Sequence, residues 1–304
     1  YLIIILYNMN KKNFDLNEIQ QIMMSYHKNK IFNDEKFIKK KDLIKGSYGD
    51  ISLYEKDNFE YILKKPSGKT EEDFKAAKAD SIISTFLSAY QSKYLNDGYQ
   101  ISPKIYSIKR EKVLDRKMSN LIMEKFDGDI FDIFKRLDVT KDQAKNLLIE
   151  MLKQISNQLI LLQENFKFMH NDLKTNNILY KKINPKKPLT NKNAIFVLSD
   201  FGGSSIEINK KFITGCVRGN DLYFNKSKDL YLLIHILITF YDSDLRKNLI
   251  NFLSNFFTSL NFRYIDTNND LWHKLYELKE YPKEFEPKIF LEKLEDYLSI
   301  PVLE

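Results

Sequence analysis

HNDLKTNNILY, residues 170–180, sets a histidine, an aspartate, a lysine and three asparagines within eight positions and then closes on an apolar run. Upstream, Leu148, Met151, Leu152, Ile155, Leu159, Leu162 and Phe166 recur at three- and four-residue steps, the spacing of an amphipathic helix with one dry face. Downstream, Ile178-Leu179-Tyr180 reads as a strand. The polar stretch is therefore a loop held at both ends, the kind of place where chemistry is displayed.

A second acidic loop follows in FVLSDFGGSS (196–205), where Asp200 ends an apolar strand and Gly202 and Gly203 allow a sharp turn. Before both, residues 40–64 alternate polar and apolar with glycines at 46 and 49, which predicts a strand hairpin, and Lys64 follows in YILKK. Residues 71–95 have helix-favouring composition. NLIMEKF (120–126) is an apolar run that turns at Asp127-Gly128-Asp129. Segments 229–241 and 245–260 read as buried helices, because they are apolar on most sides. Strands first and mostly helices second is an α+β layout, with residues 124–129 as the connection.

Composition narrows the function classes. At 304 residues, with 43% apolar and 29% charged residues, the chain has the make-up of a soluble globular protein. Cys216 is the single cysteine, which excludes a disulfide scaffold and suits a reducing compartment. The four histidines (27, 170, 235, 273) lack zinc-ligand spacing. Only six of the 48 basic residues are arginine, which disfavours nucleic acid as the main partner and suits an AT-rich genome. The opening YLIIILY is too short to span a bilayer or to serve as a signal core, and is expected to be a buried strand. A start at Tyr1 rather than Met leaves room for residues upstream.

The ordered set of glycine hairpin, strand lysine, Met-Glu run, His-x-Asp-Leu-Lys-x-x-Asn and Asp-Phe-Gly resembles the protein kinase superfamily over roughly residues 40–240. The resemblance implies a two-lobed protein-kinase-like fold. An extension would cover 1–39. An N-lobe of antiparallel sheet plus helix would cover 40–124, and a mostly helical C-lobe 125–304. It further implies an ATP-dependent, Mg²⁺-dependent serine/threonine protein kinase. By it Asp172 would be the catalytic base and Lys174 would meet the transferring phosphate. Asn177 and Asp200 would hold Mg²⁺. The nucleotide-binding set would be Gly46, Ser47, Gly49, Ile51, Lys64, Met123, Glu124, Phe126 and Asp129, and Asp229 would anchor the catalytic loop. Phosphoryl transfer needs positioning and charge neutralisation more than covalent chemistry, which suits these residue types.

The chain departs from the family pattern at four places. Ile44 stands where the first lid glycine is usual. No Glu follows Glu71 and Glu72 until Glu111, so the helical partner of Lys64 would be Asp80, with its shorter reach. Asn171 replaces the arginine before Asp172, which implies activity without a phosphorylated loop. No Ala-Pro-Glu closes the segment, and only 29 positions separate Asp200 from Asp229. An insertion, KKINPKKPLTNKN, carries Lys181, Lys182, Lys186, Lys187 and Lys192 and no acid; as a hairpin tip it would be a solvated loop or meet an acidic partner.

Two other functions stay in view. Choline- and aminoglycoside-type small-molecule kinases share a His-x-Asp loop, and a nucleotide-binding pseudokinase is suggested by the missing helical Glu. In style the chain is similar to kinases of large DNA viruses, which implies a cytoplasmic or virion protein.

Overall fold

The computed structural model describes residues 14–29, 31, 34–46, 49–66, 69–95, 98–113, 116–135, 140–216, 224–239, 256, 278 and 280–299. The YLIIILY stretch, Ser47 and all of 245–260 except Phe256 lie outside the described residues. The fold is mixed α/β, and the chain divides into two compact units.

One unit comprises Lys11–Phe126 with Val197–Val217. Its centre is a five-stranded antiparallel sheet of β1 (Ile38–Gly46), β2 (Gly49–Lys56), β3 (Phe59–Pro66), β4 (Ile105–Val113) and β5 (Arg116–Glu124). The order across the sheet is β1–β2–β3–β5–β4. The predicted hairpin of 40–64 is the β1–β2–β3 meander. The β1–β2 turn is tight: Gly46 pairs with Gly49. Gly49 has φ +144, and a side chain there would begin 2.4 Å from the Lys65 carbonyl oxygen, so glycine is required.

Between β3 and β4 runs the long helix α2 (Glu71–Tyr94). Thr70 and Asp73 form a reciprocal capping box at its start, satisfying two otherwise orphaned backbone donors. A shorter helix, α1 (Leu16–Lys28), precedes the sheet and was not foreseen from sequence. Asp15 caps it by accepting from the Asn17 N–H at 2.8 Å. It packs on α2 and β4. The Tyr26 hydroxyl meets Ser88 Oγ at 3.2 Å, and Phe14 lies edge-on to Tyr90 and Tyr94. Two short strands, β9 (Ser205–Ile208) and β10 (Lys211–Thr214), form a hairpin after the Asp-Phe-Gly turn.

The other unit comprises Tyr1–Asn10, Asp127–Phe196 and Arg218–Glu304. After the two-residue strand β6 (Gly128–Asp129) come α3 (Ile130–Lys135), then α4 (Lys141–Phe166). Helix α4 is the amphipathic helix predicted from its apolar spacing, and Leu148, Met151, Leu152, Ile155, Leu159, Leu162 and Phe166 are all buried. A Thr140–Gln143 capping box starts it, and Lys167, in the left-handed conformation, ends it. Strands β6, β7 (Ile178–Lys182) and β8 (Ala194–Leu198) form a small sheet. Gln154 and Gln158, one helical turn apart on α4, bond the backbone of β8 at Ala194 and Phe196, so side-chain amides satisfy strand groups that no further strand meets among the described residues. Helices α5 (Lys228–Thr239) and α6 (Pro287–Ser299) follow among the described residues, with α6 packed on α4.

The lysine insertion joins β7 to β8, as expected of a hairpin tip. Asn193 pins it: its amide donates to the carbonyls of Asn184 and Pro188, and its Oδ1 accepts from the Asn184 N–H at 2.7 Å. Ile183 and Lys186 are exposed on this tied loop.

Candidate active site

In the sheet unit the polar cluster is built on Lys64. Strand register sets Ile51 opposite Lys64, and Lys64 opposite Leu121 of β5. The ammonium lies 2.8 Å from Asp80 on α2 and 2.9 Å from Asp200 after β8. The acid that meets Lys64 from the helix is thus an aspartate. Its reach suffices because α2 comes close to the Asp-Phe-Gly turn. A Cβ built on Gly202 would be 3.4 Å from that of Ala76, and one on Gly215 would be 3.1 Å from that of Ala79. Small residues on both sides close the gap that a longer Glu would otherwise bridge.

Asp80 has a second task. Its Oδ1 accepts from the Phe201 backbone N–H at 2.9 Å, and Ser84 Oγ approaches the same oxygen at 3.4 Å. One carboxylate therefore ties the strand lysine, the helix and the Asp-Phe-Gly turn. Burial works against the charge on Lys64. Asp200 and Asp80, by charge and hydrogen bonding, outweigh it and hold the ammonium pKa above the ordinary lysine value. Asp200 is itself left-handed at φ +60, a conformation that aspartate tolerates better than most residues. Its side chain is 49% exposed, so the Lys64–Asp200 pair stands in part in water.

In the helical unit the loop after α4 carries the other candidates. Asp172 is gripped by its neighbours: Lys174 Nζ lies 2.7 Å from Oδ2, and Asn177 Nδ2 donates to the Asp172 carbonyl at 2.8 Å and to Oδ2 at 3.1 Å. A short 3₁₀ turn, Thr175–Asn177, brings Asn177 back over Asp172. From α5, Asp229 accepts the backbone N–H groups of His170 at 2.8 Å and Asn171 at 2.9 Å. Asp129 accepts from Asn176 Nδ2 at 3.2 Å and from the Asp132 N–H, and burial raises its carboxyl pKa.

Three further candidates, Met123, Glu124 and Phe126, fall near the connection. The Glu124 carboxylate accepts from Gln100 Nε2 at 2.6 Å and from the Lys104 N–H at 3.2 Å. Met123 pairs with Ile62 and Ile105 across the sheet, and Phe126 is buried. Gly46 ends β1, and Ser47 is outside the described residues. Two features escaped the sequence reading, the Asp80–Phe201 bond and the burial of Lys228 beside Asn171. A lysine directly before the anchoring Asp229 was the one available signal for the second.

No protein-family model matches the chain. A curated relative does: the sporulation protein kinase mde3 of Schizosaccharomyces pombe is 32% identical over 134 residues. The match supports a kinase-like relationship. It takes in 40% of this chain, and the chain covers 23% of the relative's length. Among the described residues, no helix is long and apolar enough to cross a membrane.

Proposed function

We propose that the chain is a protein kinase of two-lobed, kinase-like fold that transfers the γ-phosphate of ATP, with Mg²⁺, to serine and threonine hydroxyls of proteins. The observation that carries the reading is the ion cluster in which Lys64 is held by Asp80 and Asp200. A partly buried cation fixed by two carboxylates, one of them on a left-handed residue, is a preorganised charge arrangement of the kind phosphoryl transfer needs.

The metal of the cofactor would be held by oxygen donors. Asn177 and Asp200 would each offer Mg²⁺ a hard oxygen ligand. Mg²⁺ needs few protein ligands, since it keeps waters and leans on substrate phosphates. When bound, Mg-ATP supplies the phosphoryl group and neutralises much of its charge. Asp172 would orient the acceptor hydroxyl and take its proton, and Lys174, already paired with Asp172, would stabilise charge on the moving group. Gly46, Ser47, Gly49, Ile51, Lys64, Met123, Glu124, Phe126 and Asp129 are the nucleotide-binding residues of this proposal. The pinned lysine loop would favour acidic partners.

Labelled ATP with a generic basic protein, followed by phosphoamino-acid analysis, tests the reading. We expect phosphoserine and phosphothreonine. Asp172→Asn should reduce transfer about 10²–10⁴-fold with nucleotide affinity kept, and Asp200→Asn should abolish Mg²⁺-dependent stabilisation by ATP. Predominant phosphotyrosine, label only on an amino alcohol, or full activity in either variant would overturn it.

A further inference from the structure

The first turn of α5 holds a buried lysine that the roles assigned above leave unused. Lys228 is 2% exposed, a depth at which an ammonium needs polar partners. It also begins a helix, where the backbone dipole opposes a cation. Its Nζ donates to the Asn171 side-chain Oδ1 at 3.2 Å. The next residue, Asp229, is 0% exposed and accepts the backbone N–H of Asn171. Two consecutive residues of α5 thus hold Asn171, one by its side chain and one by its backbone.

Asn171 stands in the left-handed region at φ +63, one residue before Asp172. A non-glycine residue stays there only when its surroundings impose the conformation. The flanking chain is fastened as well. The Asn225 N–H meets the Met169 sulfur at 3.1 Å, Gln163 Nε2 donates to the Lys226 carbonyl at 3.1 Å, and the Ser227 N–H is met by Asn225 Oδ1 at 2.9 Å. The lysine therefore projects from a fixed base.

We infer that Lys228 is a positioning residue: by gripping the Asn171 side chain it keeps the backbone at 170–172 in the left-handed turn that presents Asp172. Its contribution to transfer rests on Asp172 being the base proposed above. The bond, rather than the aliphatic stem, is what matters. A methionine of similar length would keep the packing and lose the donor.

The test compares the full chain with Lys228→Met by hydrogen exchange and by steady-state kinetics. In the variant, exchange at the 170 and 171 amides should rise about tenfold, the scale of one net hydrogen bond. The kcat should fall about 10–100-fold, while KM for ATP stays within about twofold, since Lys228 is given no contact with nucleotide. Adding Asn171→Gly should restore part of kcat, because glycine adopts the left-handed turn without being held. Should Lys228→Met not fold, Asn171→Ala removes the same bond from its other end and must raise exchange at 170 equally. Exchange and kcat both unchanged, or a lowered Tm as the sole effect, would overturn the inference. A wild-type chain with no transfer activity would instead sink the kinase reading, and exchange alone would then decide the grip.

Discussion

Replacing Asp80 with alanine takes away three contacts at once, and the structure allows the loss to be apportioned. The Phe201 N–H loses its acceptor at 2.9 Å; Phe201 is buried, and a buried donor left unmet costs about 1–3 kcal/mol. Lys64 loses the 2.8 Å partner but keeps Asp200 at 2.9 Å. Because the Asp200 side chain is half exposed, water softens the loss, which we put at about 1 kcal/mol. The Ser84 contact at 3.4 Å adds little. The sum is about 2–4 kcal/mol, which for a unit of this size lowers Tm by roughly 5–15 °C. Asp80→Asn keeps an acceptor for Phe201 and should lose only about half as much. Asp80→Glu should also destabilise, since an extra methylene enters a closely packed space, at about 1–3 kcal/mol. Thermal melts followed by circular dichroism, with urea midpoints as a second measure, read all three. An alanine variant within 2 °C of wild type, or a glutamate variant more stable than wild type, would refute the account of why aspartate stands here.

His235 should make the helical unit acid-sensitive. It is fully buried against Tyr231, and burial pushes its pKa down to about 4. Between about pH 6.5 and pH 4 the unfolded chain binds a proton that the folded chain excludes, so stability falls as pH falls, by up to roughly 3 kcal/mol. His235→Phe should flatten that part of the Tm-against-pH curve; parallel curves for the two proteins would rule the histidine out as the cause. Gly215→Ala should be destabilising by about 1–3 kcal/mol or more, because its methyl would lie 1.9 Å from the Gly202 carbonyl oxygen. An unchanged urea midpoint would show that the turn yields freely.

The parts legible in the sequence are those specified by short-range spacing. Helix α4 announced itself through apolar residues at three- and four-residue steps, and the β1–β2 turn through its two glycines. The polar loop 170–177 was legible because its residues act on one another across two to five positions, as Lys174 and Asn177 do on Asp172. What stayed hidden depends on tertiary approach. Whether Asp80 could reach Lys64 turned on how near Ala76 and Ala79 bring α2 to Gly202 and Gly215, a distance no local pattern encodes. Lys228 is inconspicuous in the sequence because lysine is ordinarily a surface residue, and the group it meets, Asn171, lies 57 positions away. Helix α1 falls within the expected extension 1–39, although Asp15 and the apolar positions Leu16, Ile19, Met23 and Tyr26 carry a cap and a helical stripe.

Strand β1 lies at one margin of the five-stranded sheet, and among the described residues no strand pairs with its outer side. Its pairing with β2 slips twice, between Lys39 and Lys41 and again between Asp42 and Ile44, and four of its nine residues are lysines. Such irregularities twist a margin out of register with any incoming strand, and like charges repel a second copy of the same margin. Ile38, Leu43 and Ile44 are exposed there, so apolar residues alone would make this strand a template for runaway sheet growth. The broken register and the lysines oppose that, and the same nine residues that lead into the glycine turn also guard the chain against its own aggregation.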